Sequence, residues 1–128
     1  PSTEIKNEIL DALEQAASHS TVPDTWAELD TSRLMECMDT TDGVMALFRH
    51  IQRTAVRCGM DEPGCFQVGG LSDSGITVAC GIPTVCAMGV RGEGNHTPTE
   101  YAEVESLFER CILAACAAGS LEDGFTEQ

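Results

Sequence analysis

The sequence predicts an α/β protein, because helix-like and strand-like segments alternate along its 128 residues. Apolar residues recur at three- and four-residue steps, the spacing of an amphipathic helix, in residues 4–17, 41–58 and 98–118. Short apolar runs of strand length occupy residues 34–38, 65–68 and 82–88. With a short helix between the last two runs, this order predicts a strand–loop–helix–strand–helix unit with a parallel sheet.

The first two helices have end signals as well as apolar periodicity. Residues 4–17 place Ile5, Ile9 and Leu13 on one face, and Pro23 excludes any long continuation. Residues 41–58 are followed by Gly59, a typical residue just beyond the end of a helix. Both segments are therefore predicted to be helices with one apolar face.

The later helices are predicted from capping residues. Ser72 or Asp73 is placed to cap a short helix over Gly75–Cys80. Thr97 and Glu100 have the spacing of a capping box, with Pro98 at the first helical position. The sequence thus predicts that the last helix begins at residue 98 and ends before Gly119.

Charge and hydropathy exclude two classes of partner. Lys and Arg total 7 against 21 Asp and Glu, a net charge of −14, so nucleic acid and anionic membrane surfaces are repelled. No apolar run reaches the roughly 18 residues that a membrane-spanning helix needs. We therefore expect a soluble protein that binds neither nucleic acid nor membrane.

The seven cysteines indicate a reducing compartment. Their spacing contains no C-x-x-C pair, and most of them lie within apolar patterns. We expect them to be small buried apolar residues of a cytoplasmic protein, and none has the sequence surroundings of a catalytic thiol.

One histidine, His96, lies in a glycine-rich loop that begins at Gly92. A second glycine-rich loop, residues 69–75, precedes it. Neutral imidazole is a common protein ligand of zinc, and glycine lets a ligand approach the backbone. From the residues alone, His96 is either a metal ligand or a solvated loop residue, and Asp73 is either a pocket residue or a helix cap.

Three motifs occur in order: Gly-Gly-Leu-Ser-Asp-Ser-Gly at 69–75, Gly-Ile-Pro-Thr-Val at 81–85, and Gly-Glu-Gly-Asn-His-Thr-Pro-Thr-Glu-Tyr at 92–101. Over about residues 40–118 the chain resembles the C-terminal end of the zinc-dependent metallopeptidase family of aminoacylases, carboxypeptidase G, tripeptidase and succinyl-diaminopimelate desuccinylase. The resemblance implies that His96 binds one of two zinc ions. It also implies that Gly70, Ser72 and Asp73 line the substrate pocket.

The resemblance further implies the domain organisation. Residues 1–38 would be the last helix and strand of an α+β lid domain, which often forms a homodimer, and residues 39–128 the C-terminal part of a catalytic α/β domain. The other zinc ligands and the catalytic carboxylate of the family lie upstream of such a region. Because the chain also opens at Pro1 without Met, we expect a C-terminal segment that is inactive alone and carries no catalytic residue.

Two functions follow from these expectations. The first is a part of a hydrolase that cleaves a peptide or N-acyl amino acid bond. The second is a non-catalytic binding or dimerisation module that keeps the same scaffold. A dinucleotide-binding domain is disfavoured, because Gly89, Gly92 and Gly94 lack the required G-x-G-x-x-G order.

Overall fold

A computed structural model describes residues 2–124 as helices with one small sheet. The helices are α1 (Thr3–Ser18), α2 (Asp42–Arg57), α3 (Ser74–Ala79), α4 (Val104–Gly119) and α5 (Leu121–Gly124), and the strands are β1 (Gly92–Glu93) and β2 (Tyr101–Ala102). The strands are antiparallel, with Gly92 opposite Ala102 and Glu93 opposite Tyr101. The fold is thus a mixed one, which is compatible with part of an α/β domain. Within the described residues, no helix is long and apolar enough to cross a membrane.

The chain divides into two compact units. The first unit comprises Pro1–Thr40 and Val68–Ile82, and the second comprises Thr41–Gln67 and Pro83–Gln128. Helices α1 and α3 belong to the first unit, whereas α2, α4, α5 and the sheet belong to the second. The predicted boundary between residues 38 and 39 refers to the domains of a larger protein, and it stays a prediction.

The core of the second unit lies between α2 and α4. Its buried apolar residues are Ile51 and Ala55 from α2 and Leu113 and Ala117 from α4. Partly buried side chains pack around them: Leu47, Met60, Val85 and Met88. Removal of this apolar surface from water stabilises the helix pair by about 25 cal/mol for each Å² buried.

A buried histidine reinforces the same helix pair. His50, only 3% exposed, has its Nε2 atom 2.9 Å from the backbone oxygen of Ala117. Because a carbonyl oxygen can only accept, Nε2 carries the proton and donates this bond. His50 is therefore a packed residue of the contact between α2 and α4.

The predicted ends of α2 are confirmed. Thr41 is the N-cap, and its hydroxyl oxygen accepts a hydrogen bond of 3.2 Å from the backbone N–H of Val44. Gly59 follows the helix with a φ of 74°. The left-handed conformation at this position ends the helix at low cost because glycine has no Cβ.

Helix α1 of the first unit forms where predicted but has no buried residue. Its N-terminus is attached through the backbone N–H of Thr3, which donates to Asp39 Oδ1 at 2.8 Å. One turn later, Lys6 Nζ lies 2.7 Å from Glu36 Oε2. The predicted apolar stripe is present but open, since Ile5, Ile9 and Leu13 are 47%, 54% and 47% exposed.

The prediction of three further strands is wrong. Within residues 2–124, no paired strand forms at residues 34–38, 65–68 or 82–88. A strand needs a second backbone to complete its hydrogen bonds, and apolar composition alone does not supply one. In the last segment, Val85 and Met88 instead pack their side chains on the core of the second unit. The parallel strand–helix–strand unit is therefore not formed within residues 2–124.

The predicted start of the last helix is also wrong. Helix α4 begins at Val104, and residues 97–100 belong to the connection between β1 and β2. In a capping box the Thr97 hydroxyl would accept the N–H of Glu100. Here the N–H of Glu100 donates to the backbone oxygen of Thr97 at 3.2 Å, and the Thr97 hydroxyl donates to Gly94. Strand pairing of residues on either side of this segment accounts for the difference.

Candidate functional site

His96 lies in the turn that connects β1 to β2. Its φ is 65°, in the left-handed region, and Gly94 before it has a φ of 75°. The turn is closed by Thr97, whose backbone N–H and hydroxyl both donate to the Gly94 oxygen, at 3.0 and 2.6 Å. A side chain in the left-handed region costs roughly 1 kcal/mol, so these hydrogen bonds hold His96 in a conformation that it would not adopt alone.

The His96 imidazole is exposed, and neither ring nitrogen has a hydrogen-bond partner among residues 2–124. His50 differs because its Nε2 is bonded to Ala117. His19 also differs, because its Nδ1 lies 3.0 Å from the Gln15 backbone oxygen. Within the described chain, His96 therefore presents both nitrogens to solvent, where either one could bind a ligand.

An ion-pair cluster attaches the His96 turn to α4. Arg91, just before β1, lies 3.1 Å from Glu103 and 2.8 Å from Glu109 through its guanidinium nitrogens. These carboxylates raise the pKa of Arg91, with Glu109 contributing most. The backbone of the same residue is bonded to Ser106, whose hydroxyl oxygen accepts the Arg91 N–H at 2.8 Å.

Sequence reasoning missed this cluster. Arg91 is separated from its acidic partners by the whole hairpin, so no short-range spacing relates them. The signal that was present is an arginine followed by Glu103 and Glu109, which the structure places at the N-cap of α4 and inside α4.

The Gly69–Gly70 loop is open in the described structure. Both glycines are exposed, neither has a positive φ, and a Cβ added to either would meet no atom within 4 Å. The neighbouring Leu71 is 78% exposed. Thus no contact with residues 2–124 requires glycine at these two positions.

The two capping candidates before α3 behave differently. Ser72 Oγ accepts the backbone N–H of Ser74 at 3.2 Å. Asp73 occupies the N-cap position, but its carboxylate makes no capping hydrogen bond and is exposed. The cap interpretation of Asp73 is therefore not supported. Gly75 is tightly placed, because a Cβ there would collide with the backbone oxygen of Glu36.

The predicted site residues belong to different units of the chain. His96 lies in the second unit, whereas Gly70, Ser72 and Asp73 lie in the first. That these two loops line one pocket stays a prediction.

The donor atoms of the described chain do not make a complete metal site. Among residues 2–124, no group of three His, Cys, Asp or Glu side chains comes together in a way that could hold an ion. Zinc in enzymes usually takes three protein ligands and one water or substrate. A zinc site that included His96 would therefore need its other ligands from outside these residues.

Comparisons with protein families, with curated proteins and with solved structures find no match to this chain. The motif resemblance carried by residues 69–75 and 92–101 therefore supports a proposal and does not establish a family.

Proposed function

We propose that this chain is the C-terminal part of a two-zinc metallopeptidase or amidohydrolase that cleaves a peptide or N-acyl amino acid bond. His96 binds one zinc ion, and Gly70, Ser72 and Asp73 line the substrate pocket. The observation that carries the proposal is the exposed imidazole of His96, which has both nitrogens free among residues 2–124. Within residues 2–124 the cysteines form no disulfide, which supports a reducing compartment, the cytoplasm. The prediction that the cysteines are buried is wrong for five of the seven, which are exposed.

The attachment of the His96 turn supports a ligand role. A metal ligand must be held in place before the ion binds, because ordering a mobile side chain would reduce affinity. Here the turn is closed by hydrogen bonds to Gly94, and the hairpin is attached to α4 through Arg91. The left-handed conformation is shared with Asp24 and Ala87, so it is the attachment of the hairpin that supports a ligand role.

The open glycine loop supports a pocket role for residues 69–73. Gly69 and Gly70 are not required by φ or by any contact within residues 2–124. Glycine in such a loop allows a substrate, or another part of the protein, to approach the backbone closely. The Asp73 carboxylate remains available because it does not cap α3.

On this proposal, the metal ions and the protein residues supply different parts of the chemistry. Two bound zinc ions supply polarisation of the scissile carbonyl and a water of lowered pKa. One ring nitrogen of His96 binds the ion, while the other requires a hydrogen-bond acceptor that orients the ring. The Ser72 hydroxyl donates to Ser74 Oγ at 3.1 Å, so the donors proposed for substrate oxygens are the backbone N–H groups of its loop. On this proposal, the other ligands and the catalytic carboxylate lie upstream of Pro1.

The alternative is a non-catalytic binding or dimerisation module, and helix α1 favours it. Its apolar stripe of Ile5, Ile9 and Leu13 is about half exposed, and the helix buries no residue. A continuous apolar helix face of this kind is typical of a surface that packs against another one. In that case His96 would have no metal to bind.

The test uses the longest natural polypeptide that contains this chain, prepared as wild type and as His96→Ala. We expect about two zinc ions per chain in the wild type and a loss of one in the variant. Hydrolysis of N-acyl amino acids and tripeptides should fall by at least about 100-fold. Zinc is measured by elemental analysis and hydrolysis by release of free amino groups.

His19→Ala is the matched control, because His19 is also exposed but lies at the end of α1. It should keep both zinc ions and full activity. Unchanged zinc and activity in His96→Ala would rule out the ligand role. A parent without zinc or hydrolysis whose self-association is abolished by Ile9→Asp would establish the binding module instead.

A further inference from the structure

A groove of about 690 Å³ lies in the second unit, between the C-terminal end of α2 and the middle of α4. Ala55 and Leu113, from the core between the two helices, line it. The segment after α2 contributes Asp61 and Glu62, and α4 contributes Arg110. Small-molecule sites in proteins usually have volumes of about 300–1,000 Å³, so the groove has the size of a ligand site.

Arg110 is a half-buried cation without a partner. Among residues 2–124 its guanidinium makes no ion pair or hydrogen bond, and its Nε atom is buried. The other arginine of the groove, Arg91, differs because it is paired with Glu103 and Glu109. A buried donor without an acceptor costs free energy, and an anion bound to the Arg110 guanidinium would offset that cost.

The remaining unpaired charges of the groove are negative. Asp61 and Glu62 are exposed, and neither carboxylate makes an ion pair within the described part of the chain. Since Arg91 and Glu109 pair with each other, the unpaired charges are one positive, on Arg110, and two negative. A phosphate dianion would meet more negative than positive charge here, and a metal cation would be repelled by the guanidinium. A zwitterion presents an anion and a cation together and therefore fits this arrangement.

The segment that carries the two unpaired carboxylates, residues 59–63, is held on both sides by hydrogen bonds. The Met60 N–H donates to the Ala55 oxygen at 3.0 Å, which turns the chain back at the end of α2. Further along, Gln52 Nε2 donates to the Pro63 oxygen at 2.9 Å. A segment that is ordered before binding loses little conformational entropy when a ligand arrives.

We propose that this groove binds a zwitterionic amino acid or short peptide, with its carboxylate on Arg110 and its ammonium group at Asp61 and Glu62. A guanidinium binds a carboxylate through two parallel hydrogen bonds, and a carboxylate accepts hydrogen bonds from an ammonium group. Amino acid and peptide share this chemistry and differ in the separation of their charged ends, which grows by about 3.3–3.6 Å for each residue of an extended chain. The proposal does not depend on zinc or on His96.

The experiment titrates the full chain with alanine, dialanine and trialanine and follows the backbone amide signals by NMR. We expect one of these zwitterions to bind with a dissociation constant of about 1 mM or lower and to shift the signals of residues 59–63 and Arg110. Tightest binding of alanine would assign an amino acid as the ligand, and tightest binding of either peptide would assign a peptide. Acetate and methylamine each carry only one of the two charges, so each should bind at least about tenfold more weakly.

Two results of these titrations would overturn the proposal. The first is the absence of saturable shifts with all three zwitterions up to about 20 mM. The second is binding of acetate or inorganic phosphate as tight as that of the best zwitterion, which would make Arg110 a simple anion site.

Variants test the two ends of the site separately. Arg110→Gln should weaken binding of the best zwitterion by at least about tenfold, and so should the double variant Asp61→Asn, Glu62→Gln. Arg53→Gln is the matched control, because Arg53 is an exposed arginine of α2 that does not line this groove, and its affinity should be unchanged. Undiminished binding in either test variant would contradict the proposal. If Arg110→Gln fails to fold, the double variant still decides the question, since both of its positions are exposed.

Discussion

Helices α1 and α2 have the same length, 16 residues, and both carry an apolar face, yet they differ completely in burial. Helix α2 buries five residues: Val44, His50, Ile51, Thr54 and Ala55. Helix α1 buries none. An amphipathic pattern therefore determines which side of a helix is apolar, but not whether that side is covered.

The difference lies in the contacts available to each helix within its own unit. Helix α2 packs along α4, and small residues on both helices permit close approach. Helix α1 is held at its N-terminal end by polar contacts from Thr3 and Lys6, which fix a position but remove little apolar surface from water. Packing, rather than propensity, supplies most of the stability of a helix in a protein.

The largest expected difference in stability is between two leucine-to-alanine variants, one at a buried position and one at an exposed position. Leu113 is 2% exposed in the core with α2, so Leu113→Ala should lower the free energy of unfolding by about 2–5 kcal/mol. Leu13 is 47% exposed, so Leu13→Ala should cost less than about 1 kcal/mol. Urea denaturation followed by circular dichroism measures both values. Equal losses in the two variants would contradict the contrast between the helices.

An intermediate effect on stability is expected when the N-cap side chains of α2 and α1 are removed. Thr41 accepts the N–H of Val44 at 3.2 Å on α2, and Ser2 accepts that of Ile5 at 3.3 Å on α1. Thr41→Ala should reduce the free energy of unfolding by about 1 kcal/mol, because the capped helix is part of the core. Ser2→Ala should instead increase hydrogen exchange in the first turn of α1 with little change in global stability. A global loss in Ser2→Ala as large as that in Thr41→Ala would show that α1 unfolds together with α2.

The smallest expected effect is that acid weakens the hydrogen bond that holds the N-terminus of α1. Hydrogen bonds from the Thr3 side chain and backbone, with a smaller contribution from Lys6, lower the pKa of Asp39. A depressed folded-state pKa stabilises the folded state above the unfolded value of about 3.9, and this contribution is lost as the pH falls through the folded value. Protection of the Thr3 N–H from hydrogen exchange, taken relative to its intrinsic exchange rate at each pH, should therefore fall on acidification below about pH 4.

Asp39→Asn should weaken the Thr3 contact by less than about 1 kcal/mol at neutral pH and should remove its acid dependence. Glu8→Gln, on the same helix, is the control and should keep that dependence. Persistence of the acid response in Asp39→Asn would assign it to another carboxylate.

The parts of the fold that sequence analysis predicted are the ones with local signals. The ends of α2 follow from Thr41 and Gly59, which act within one turn of the helix they delimit. The predicted strands failed because their hydrogen bonds must come from distant residues. Thr97 and Glu100 have capping-box spacing, yet pairing of Glu93 with Tyr101 takes precedence and makes the segment a turn.

The candidate site likewise combines features that the sequence predicts with features that only the tertiary structure determines. The glycine-rich surroundings of His96 were visible in the sequence, but its left-handed φ and its support from Arg91 were not. The cap role considered for Asp73 depended on side-chain direction, which spacing does not specify.

The sequence by itself determined the charge of −14, the helical segments α1 and α2, and the glycine-rich loops around Gly70 and His96. Those properties depend on composition or on residues a few positions apart. The tertiary structure decided which helix face is covered and that residues 97–100 form a turn. These outcomes depend on contacts between distant segments, whose energies exceed local preferences only after the chain has folded.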